Sequence, residues 1–124
     1  MLGNVTLIDD NDIDLFITEK VLLNHNCAHS IRKFSSPINA LNYFEQQKKT
    51  EAFDQQTIIV DLHMPEMNGF EFLSAFSRLP DQLNSFKIFM LSTTENESEL
   101  NQANSNKLLT RLLKKPLDIR ELLK

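Results

Sequence analysis

The segment TIIVDLHMPEMNG, residues 57–69, decides the fold, because it joins an apolar strand to a carboxylate and then to a turn. Its first four residues are apolar or β-branched, a pattern typical of a strand that helices cover on both faces. The run stops at Asp61, and the turn residues Pro65 and Gly69 follow. Because charged residues are rarely buried without a partner, a central strand that ends on Asp61 indicates a functional carboxylate.

Composition and charge exclude several classes of protein. The 124 residues are 41% hydrophobic and carry a net charge of −4, which fits one domain over residues 1–124 with a single core. No apolar run approaches the roughly 20 residues of a membrane span, and we expect no secretory signal. No basic cluster is longer than a pair, so neither nucleic acid nor membrane is an expected partner. Cys27 is the only cysteine, which excludes an internal disulfide and predicts a reducing, cytoplasmic setting.

Strand-like and helix-like segments alternate along the chain. Short runs predict five strands: VTLI (5–8), SIRKF (30–34), TIIV (57–60), KIFML (87–91) and RLLKK (111–115). Helical patterns occupy residues 12–23, 37–47, 69–78, 97–106 and 117–124. This alternation predicts an α/β fold with a doubly wound, five-stranded parallel sheet. The second and fifth runs are the polar ones and suit the sheet edges, which predicts the strand order 2-1-3-4-5.

Two of the predicted helices carry further expectations. In the first, Asp12 suits the N-cap position. The apolar stripe of that helix is predicted to be Ile13, Phe16, Ile17 and Val21. The fourth helical pattern begins among acidic residues, and we interpret these as a solvated helix start: Glu95, Glu97 and Glu99.

Acidic residues follow two strands that this order makes neighbours. Asp9 and Asp10 follow the first strand, and Asp61 ends the third. In an open α/β sheet, ligands bind beyond the carboxyl ends of the strands, near the point where the strand order reverses. Carboxylates this close repel one another unless a cation lies among them, and Mg²⁺ suits a site of a few carboxylates, water and a phosphate oxygen.

The fourth and fifth strands bring a hydroxyl and an ammonium group to the same edge. Ser92 ends the fourth strand, with Thr93 as the alternative hydroxyl, and Lys115 ends the fifth. A carboxylate can attack phosphorus to give an acyl phosphate, and cations neutralise charge on the phosphoryl oxygens. The combination predicts a phosphoryl-transfer site.

These motifs resemble the receiver domain of bacterial two-component response regulators, with single-domain response regulators as similar proteins. They are IDD (8–10), DLHMPEMNG (61–69), MLST (90–93) and KKP (114–116). The resemblance covers essentially the whole chain in order and spacing, and it implies the flavodoxin-like receiver fold. It also implies a cis peptide bond between Lys115 and Pro116. At Leu112 the chain departs from the family, which usually has Tyr or Phe three residues before the lysine.

The resemblance implies a role for each matching residue. Asp61 would accept a phosphoryl group from a histidine kinase or a histidine phosphotransfer protein. Mg²⁺ would be held by Asp9, Asp10, Asp61 and the backbone carbonyl of His63. Ser92 and Lys115 would bind the phosphoryl oxygens.

The function this implies is a phosphorylation-dependent signalling switch or a phosphorelay intermediate. Such a domain catalyses only its own phosphorylation and slow dephosphorylation, and a downstream protein would bind the face of strands four and five. One alternative is a Mg²⁺-dependent aspartyl-phosphate hydrolase, although such enzymes usually carry a second acid where this chain has His63. The other is a receiver-like binding module that is never phosphorylated.

Overall fold

A computed structural model describes residues 2–47, 56–79 and 86–124, in which strands and helices alternate. The strands are β1 Asn4–Ile8, β2 Ser30–Phe34, β3 Gln56–Asp61, β4 Phe86–Ser92 and β5 Arg111–Lys114. The helices are α1 Asp12–Asn24, α2 Pro37–Gln46, α3 Gly69–Ser77, α4 Glu97–Ser105 and α5 Ile119–Leu122. None of the helices in these ranges is long and apolar enough to cross a membrane.

The strands form one parallel sheet in the order β2-β1-β3-β4-β5, which confirms the predicted topology. Strand β1 pairs with β3 in a register that sets Ile8 opposite Val60. The carboxyl ends of β1 and β3 therefore lie side by side. Strand β4 flanks β3 on its other side, with Leu91 opposite Asp61. The central strands are buried along most of their length, whereas the edge strand β2 is partly exposed.

Apolar residues pack on both faces of the sheet. On one face, side chains of α2 and α3 join alternate strand residues, and the rings of Phe44, Phe76 and Phe86 meet edge to face at centroid distances of 5.0–5.4 Å. On the other face, Leu15 and Leu22 of α1 pack with residues of β1, β3, β4 and β5. Such ring pairs add to the free energy gained from burial of apolar area. The two layers hold the strand ends in a fixed arrangement.

Helix α1 begins differently from the prediction. Its N-cap is Asn11, whose side-chain oxygen accepts hydrogen bonds from the backbone N–H groups of Ile13 and Asp14. The prediction of Asp12 as N-cap was therefore wrong by one residue. Asn and Asp are about equally favoured at this position, so residue type could not distinguish them.

Three of the four residues predicted for the apolar stripe of α1 do not face the sheet, whereas the fourth, Val21, is partly buried and packs against the core. Ile13 is 70% exposed, Phe16 57% and Ile17 39%. The residues of α1 that are buried instead are Leu15, Thr18 and Leu22. Both sets repeat at helical spacing, so periodicity alone could not select the buried one. An apolar surface consequently lies on the outer side of α1.

Gly69 lies against the end of β3. A Cβ added there would lie 2.8 Å from Met90 Cε, 2.9 Å from the backbone oxygen of Asp61 and 3.2 Å from Leu62 Cα. The Gly69 N–H also donates a hydrogen bond of 2.8 Å to the Leu62 carbonyl. Only glycine allows α3 to begin this close to the strand end that carries Asp61.

We predict that Gly69→Ala destabilises the protein. The added methyl group must displace backbone atoms of the strand end, which we expect to lower the free energy of unfolding by about 1–3 kcal/mol. Chemical denaturation measures this change, and Asn42→Ala, at an exposed position of α2, is the control. Equal stability of the two variants would contradict the packing described for Gly69.

Candidate functional site

Three carboxylates converge where β1 and β3 end. Asp9, Asp10 and Asp61 each offer an oxygen atom, and these atoms lie within 4.8 Å of one another. Asp9 and Asp61 are buried, and Asp10 is exposed. One oxygen of Asp9 accepts a hydrogen bond of 3.0 Å from the Asn11 N–H. The structure thus brings together the acids that the sequence places at this sheet edge.

Lys115 lies against this group of acids. Its Nζ donates hydrogen bonds of 2.9 Å to Asp9 Oδ2 and to Asp14 Oδ2, and it lies 3.2 Å from Asp61 Oδ1. Burial lowers the pKa of Lys115, but hydrogen bonds to Asp9 and Asp14 outweigh burial and raise it above its usual value. The ammonium group is therefore charged at any physiological pH. The predicted cis peptide bond between Lys115 and Pro116 is confirmed.

Burial is the main cause of a shifted pKa at Asp61. Removal from water and the adjacent charge of Asp9 raise this pKa, and Lys115 only partly opposes them, so that it increases from 3.8 to about 6. Ionisation of Asp61 consequently costs more free energy in the folded protein than in the unfolded chain. A further positive charge at this edge would remove that penalty.

The hydroxyl group predicted for the site ends β4. Ser92 is 3% exposed, whereas the alternative, Thr93, is exposed. The Ser92 Oγ accepts a hydrogen bond of 3.0 Å from the Thr94 N–H, and the Ser92 carbonyl accepts one of 3.1 Å from the Lys115 N–H. Ser92 therefore lies beside the strand ends that carry Asp61 and Lys115.

Glu99 connects two loops next to the site, which corrects its assignment to a solvated helix start. The Thr94 hydroxyl donates a hydrogen bond of 2.6 Å to Glu99 Oε1, and His63 Nε2 lies 3.3 Å from the same oxygen. Glu99 belongs to α4, whereas His63 follows β3. Residues 36 apart make this contact, so no local sequence signal could have revealed it.

Sequence reasoning also missed Asp14. It lies in the first turn of α1, where an acidic residue already suits the helix dipole, and nothing in the sequence pattern distinguishes it from Asp12. Leu112, at the position where the family usually has an aromatic ring, is partly buried and packs against the core on the α2 and α3 face.

We predict that Asp61→Asn stabilises the metal-free protein. The pKa of Asp61 is higher in the folded than in the unfolded state, so the protonated carboxyl group favours folding. This contribution to stability is complete below pH 4 and is lost as the pH rises through about 6. The amide avoids that loss, so unfolding at pH 7 should require about 2–3 kcal/mol more than for the wild type, and the difference should vanish near pH 4.

Urea denaturation at several pH values in a chelating buffer measures this difference. Asp12→Asn has the same change of charge at an exposed position and should show little effect. A stability difference for Asp61→Asn that does not depend on pH would contradict the raised pKa.

Comparison with known proteins agrees with this geometry. The family model for the response regulator receiver domain matches residues 5–124. A solved response regulator receiver protein from Dyadobacter fermentans is 35% identical and superimposes with a TM-score of 0.87, covering 98% of this chain and 95% of that one. The Mn²⁺-bound form of response regulator Rcp1 superimposes with a TM-score of 0.71 at 22% identity, covering 96% of this chain and 85% of that one; this likeness shows the fold alone.

Curated relatives align over much of the chain. Response regulator Rcp1 of Synechocystis sp. is 25% identical over 97 residues, which are 77% of this chain and 65% of Rcp1. Stress response regulator protein 1 of Debaryomyces hansenii is 35% identical over 92 residues, which are 73% of this chain and 34% of that protein. The chain thus spans less than two thirds of these curated relatives. Fold, site geometry and family match agree, and the chain belongs to the response regulator receiver domain family.

Proposed function

We propose that this receiver domain is a phosphorylation-dependent switch or phosphorelay intermediate, with Asp61 as the phosphoacceptor. The donor is the phosphohistidine of a histidine kinase or a histidine phosphotransfer protein. The observation that carries the proposal is that buried Asp61 lies 3.2 Å from Lys115 and shares an oxygen cluster with Asp9 and Asp10. A nucleophile, a fixed cation and further acids within one small volume suit phosphoryl transfer.

The transfer exchanges one bond to phosphorus for another. A carboxylate oxygen of Asp61 bonds to phosphorus while the bond from phosphorus to the donor imidazole nitrogen breaks, and that nitrogen keeps the electron pair. The ammonium group of Lys115 and the hydroxyl of Ser92 would pair with the phosphoryl oxygens. Both lie at the strand ends next to Asp61, so little movement is required.

The acidic cluster fits a divalent cation. Asp9, Asp10 and Asp61 supply hard oxygen donors within 4.8 Å of one another, and the His63 backbone carbonyl is our proposed fourth ligand. Bound Mg²⁺ would neutralise negative charge on the carboxylates and on the phosphoryl oxygens. Rcp1, which is 25% identical to this chain over 97 residues, has been solved in a Mn²⁺-bound form, and we propose that this chain also binds a divalent ion.

Output would pass through the face formed by β4, β5 and α4, which we propose as the surface for a downstream protein. The Ser92 hydroxyl accepts a hydrogen bond from Thr94, and Thr94 donates to Glu99 in α4. A shift of Ser92 towards a phosphoryl group would therefore move the start of α4. This route involves no aromatic ring at position 112.

The domain would catalyse only its own phosphorylation and slow dephosphorylation. Position 63, where a hydrolase of the aspartyl-phosphate type usually carries its second acid, holds a histidine bound to Glu99. The absence of an acid at position 63 supports a signalling role over turnover of phosphate esters.

We predict that Mg²⁺ with beryllofluoride or acetyl phosphate forms a stoichiometric complex on Asp61. Asp61→Asn should abolish it, whereas Asp12→Asn, an exposed acid-to-amide change, should leave it intact. Intact mass for acetyl phosphate and ¹⁹F NMR for beryllofluoride report the complexes. Rapid multiple turnover of phosphate esters would favour a hydrolase instead, and wild-type protein that forms no complex would favour an inert binding module.

The exposed outer side of α1 adjoins this site, since α1 begins two residues after Asp10, and we propose that the protein phosphodonor contacts it. Phe16 is 57% exposed, with Lys20 Nζ 5.5 Å from its ring centroid. Exposed apolar residues that adjoin a charged site are typical of protein contact surfaces.

Phe16→Ser should slow phosphotransfer from a protein donor about tenfold, since a buried aromatic anchor commonly contributes more than 1 kcal/mol to an interface. Beryllofluoride binding should be unchanged, because a small donor needs no docking surface. Stopped-flow phosphotransfer compares this variant with Ile38→Ser, which is 41% exposed on α2 across the sheet. Equal rates for the two variants would rule out donor contact at Phe16.

A further inference from the structure

Lys115 has an acidic partner outside the oxygen cluster. Of its carboxylate contacts, Asp9 and Asp61 belong to the cluster that also includes Asp10, whereas Asp14 does not. The distance from Lys115 Nζ to Asp14 Oδ2 is 2.9 Å, which equals the distance to Asp9 Oδ2. Asp14 therefore contacts the ammonium group as closely as Asp9, a member of the oxygen cluster, does.

Helix α1 fixes the backbone of Asp14 independently of Lys115. The Asp14 N–H donates to the side-chain oxygen of the N-cap Asn11 at 3.1 Å, and residues 12–14 form the first helical turn. A carboxylate in the first turn also interacts favourably with the helix dipole. Lys115, which has a flexible side chain, thus contacts a residue, Asp14, whose backbone is held by helix α1.

Lys115 has one carboxylate partner for each of the three N–H donors of its ammonium group. An ammonium group has three donors, and its acceptors here are Asp9, Asp14 and, at the longer distance of 3.2 Å, Asp61. In the proposed function, Asp9 shares its charge with a metal ion and Asp61 carries the phosphoryl group. Asp14 takes part in neither, so it is the partner that stays the same in every state.

We infer, on the basis of the proposed function, that Asp14 is a positioning residue for phosphoryl binding. Together with Asp9 it holds two donors of Lys115, so that the third points at the Asp61 oxygen and at the phosphoryl group attached there. A lysine side chain has a long flexible stem, and fixing it in advance saves ordering entropy when the anion binds.

The charge of Asp14 has an opposing effect, since a carboxylate near an anion site repels the anion. Asp12 provides a matched control, because it is an acid of the same helical turn and is exposed. Asp12→Asn removes one negative charge close to the site without removing a contact to Lys115. The difference between the Asp14 and Asp12 variants isolates the positioning effect.

The first experiment is a double-mutant cycle on beryllofluoride affinity in the presence of Mg²⁺. Relative to Asp12→Asn, Asp14→Ala should weaken binding about threefold to tenfold, which lies within the range of coupling energies typical of contacting residues. Asp14→Glu, which can still reach Lys115, should recover most of the affinity. In a Lys115→Ala background, Asp14→Ala should no longer weaken binding relative to Asp12→Asn. An equal loss in that background would overturn the inference.

A second experiment needs neither beryllofluoride nor phosphorylation. In ¹⁵N NMR spectra, the Lys115 ammonium group should give a signal protected from solvent exchange in wild type and in Asp12→Asn, and Asp14→Ala should lose it. Retention of the signal in Asp14→Ala would overturn the inference. If wild-type protein formed no beryllofluoride complex, the proposed function would fail, and the ammonium signal alone would decide whether Asp14 positions Lys115.

Discussion

The repulsion among Asp9, Asp10 and Asp61 at one sheet edge is the constraint on which the rest of the site depends. Two unit charges about 4 Å apart interact by about 4 kcal/mol at an effective dielectric constant of 20, and more in drier surroundings. Two of the three carboxylates are buried, so water cannot fully screen them. Among the described residues, Lys115 is the cation that contacts two of these carboxylates, Asp9 and Asp61. Its charge compensates only in part, because burial still raises the pKa of Asp61 to about 6.

The fold holds these charges together because strand order and packing leave them no room to separate. Strand β1 is hydrogen-bonded to β3 along its length, and apolar side chains cover both faces of the sheet. Gly69 brings α3 against the end of β3, so close that a Cβ added at Gly69 would lie 2.9 Å from the carbonyl oxygen of Asp61. The free energy of core formation therefore opposes the local repulsion, as is common at functional sites, where local strain is balanced by the surrounding structure.

The two sides of the site differ in how they are connected. On one side, Lys115 contacts Asp9 and Asp14, which α1 and the end of β1 hold in place. On the other side, Ser92 is connected through Thr94 to Glu99, and Glu99 contacts His63 across two loops. The first arrangement suits a fixed anion-binding cation. The second arrangement can rearrange without disturbing the core, which is what a two-state readout requires.

Most of the fold could be predicted from the sequence, because Val- and Ile-rich runs identify buried strands and the polarity of residues 30–34 and 111–115 identifies edges. The convergence of Asp9, Asp10 and Asp61 followed from that order. The buried side of α1 could not be predicted, since Leu15 and Leu22 and the exposed Phe16 have equally helical spacing. Contacts between side chains of distant segments, such as Lys115 with Asp14 and His63 with Glu99, leave no local sequence pattern to detect.

Thermal unfolding with and without Mg²⁺ tests most directly whether crowded carboxylates at β1 and β3 form a cation site. A ligand that binds only the folded state at a hundredfold excess over its Kd stabilises it by about 2.7 kcal/mol. We predict that Mg²⁺, added at constant ionic strength, clearly raises the Tm of the wild type and raises that of Asp10→Asn much less. A wild-type Tm that Mg²⁺ leaves unchanged, or an equal rise in Asp10→Asn, would show that these carboxylates form no cation site.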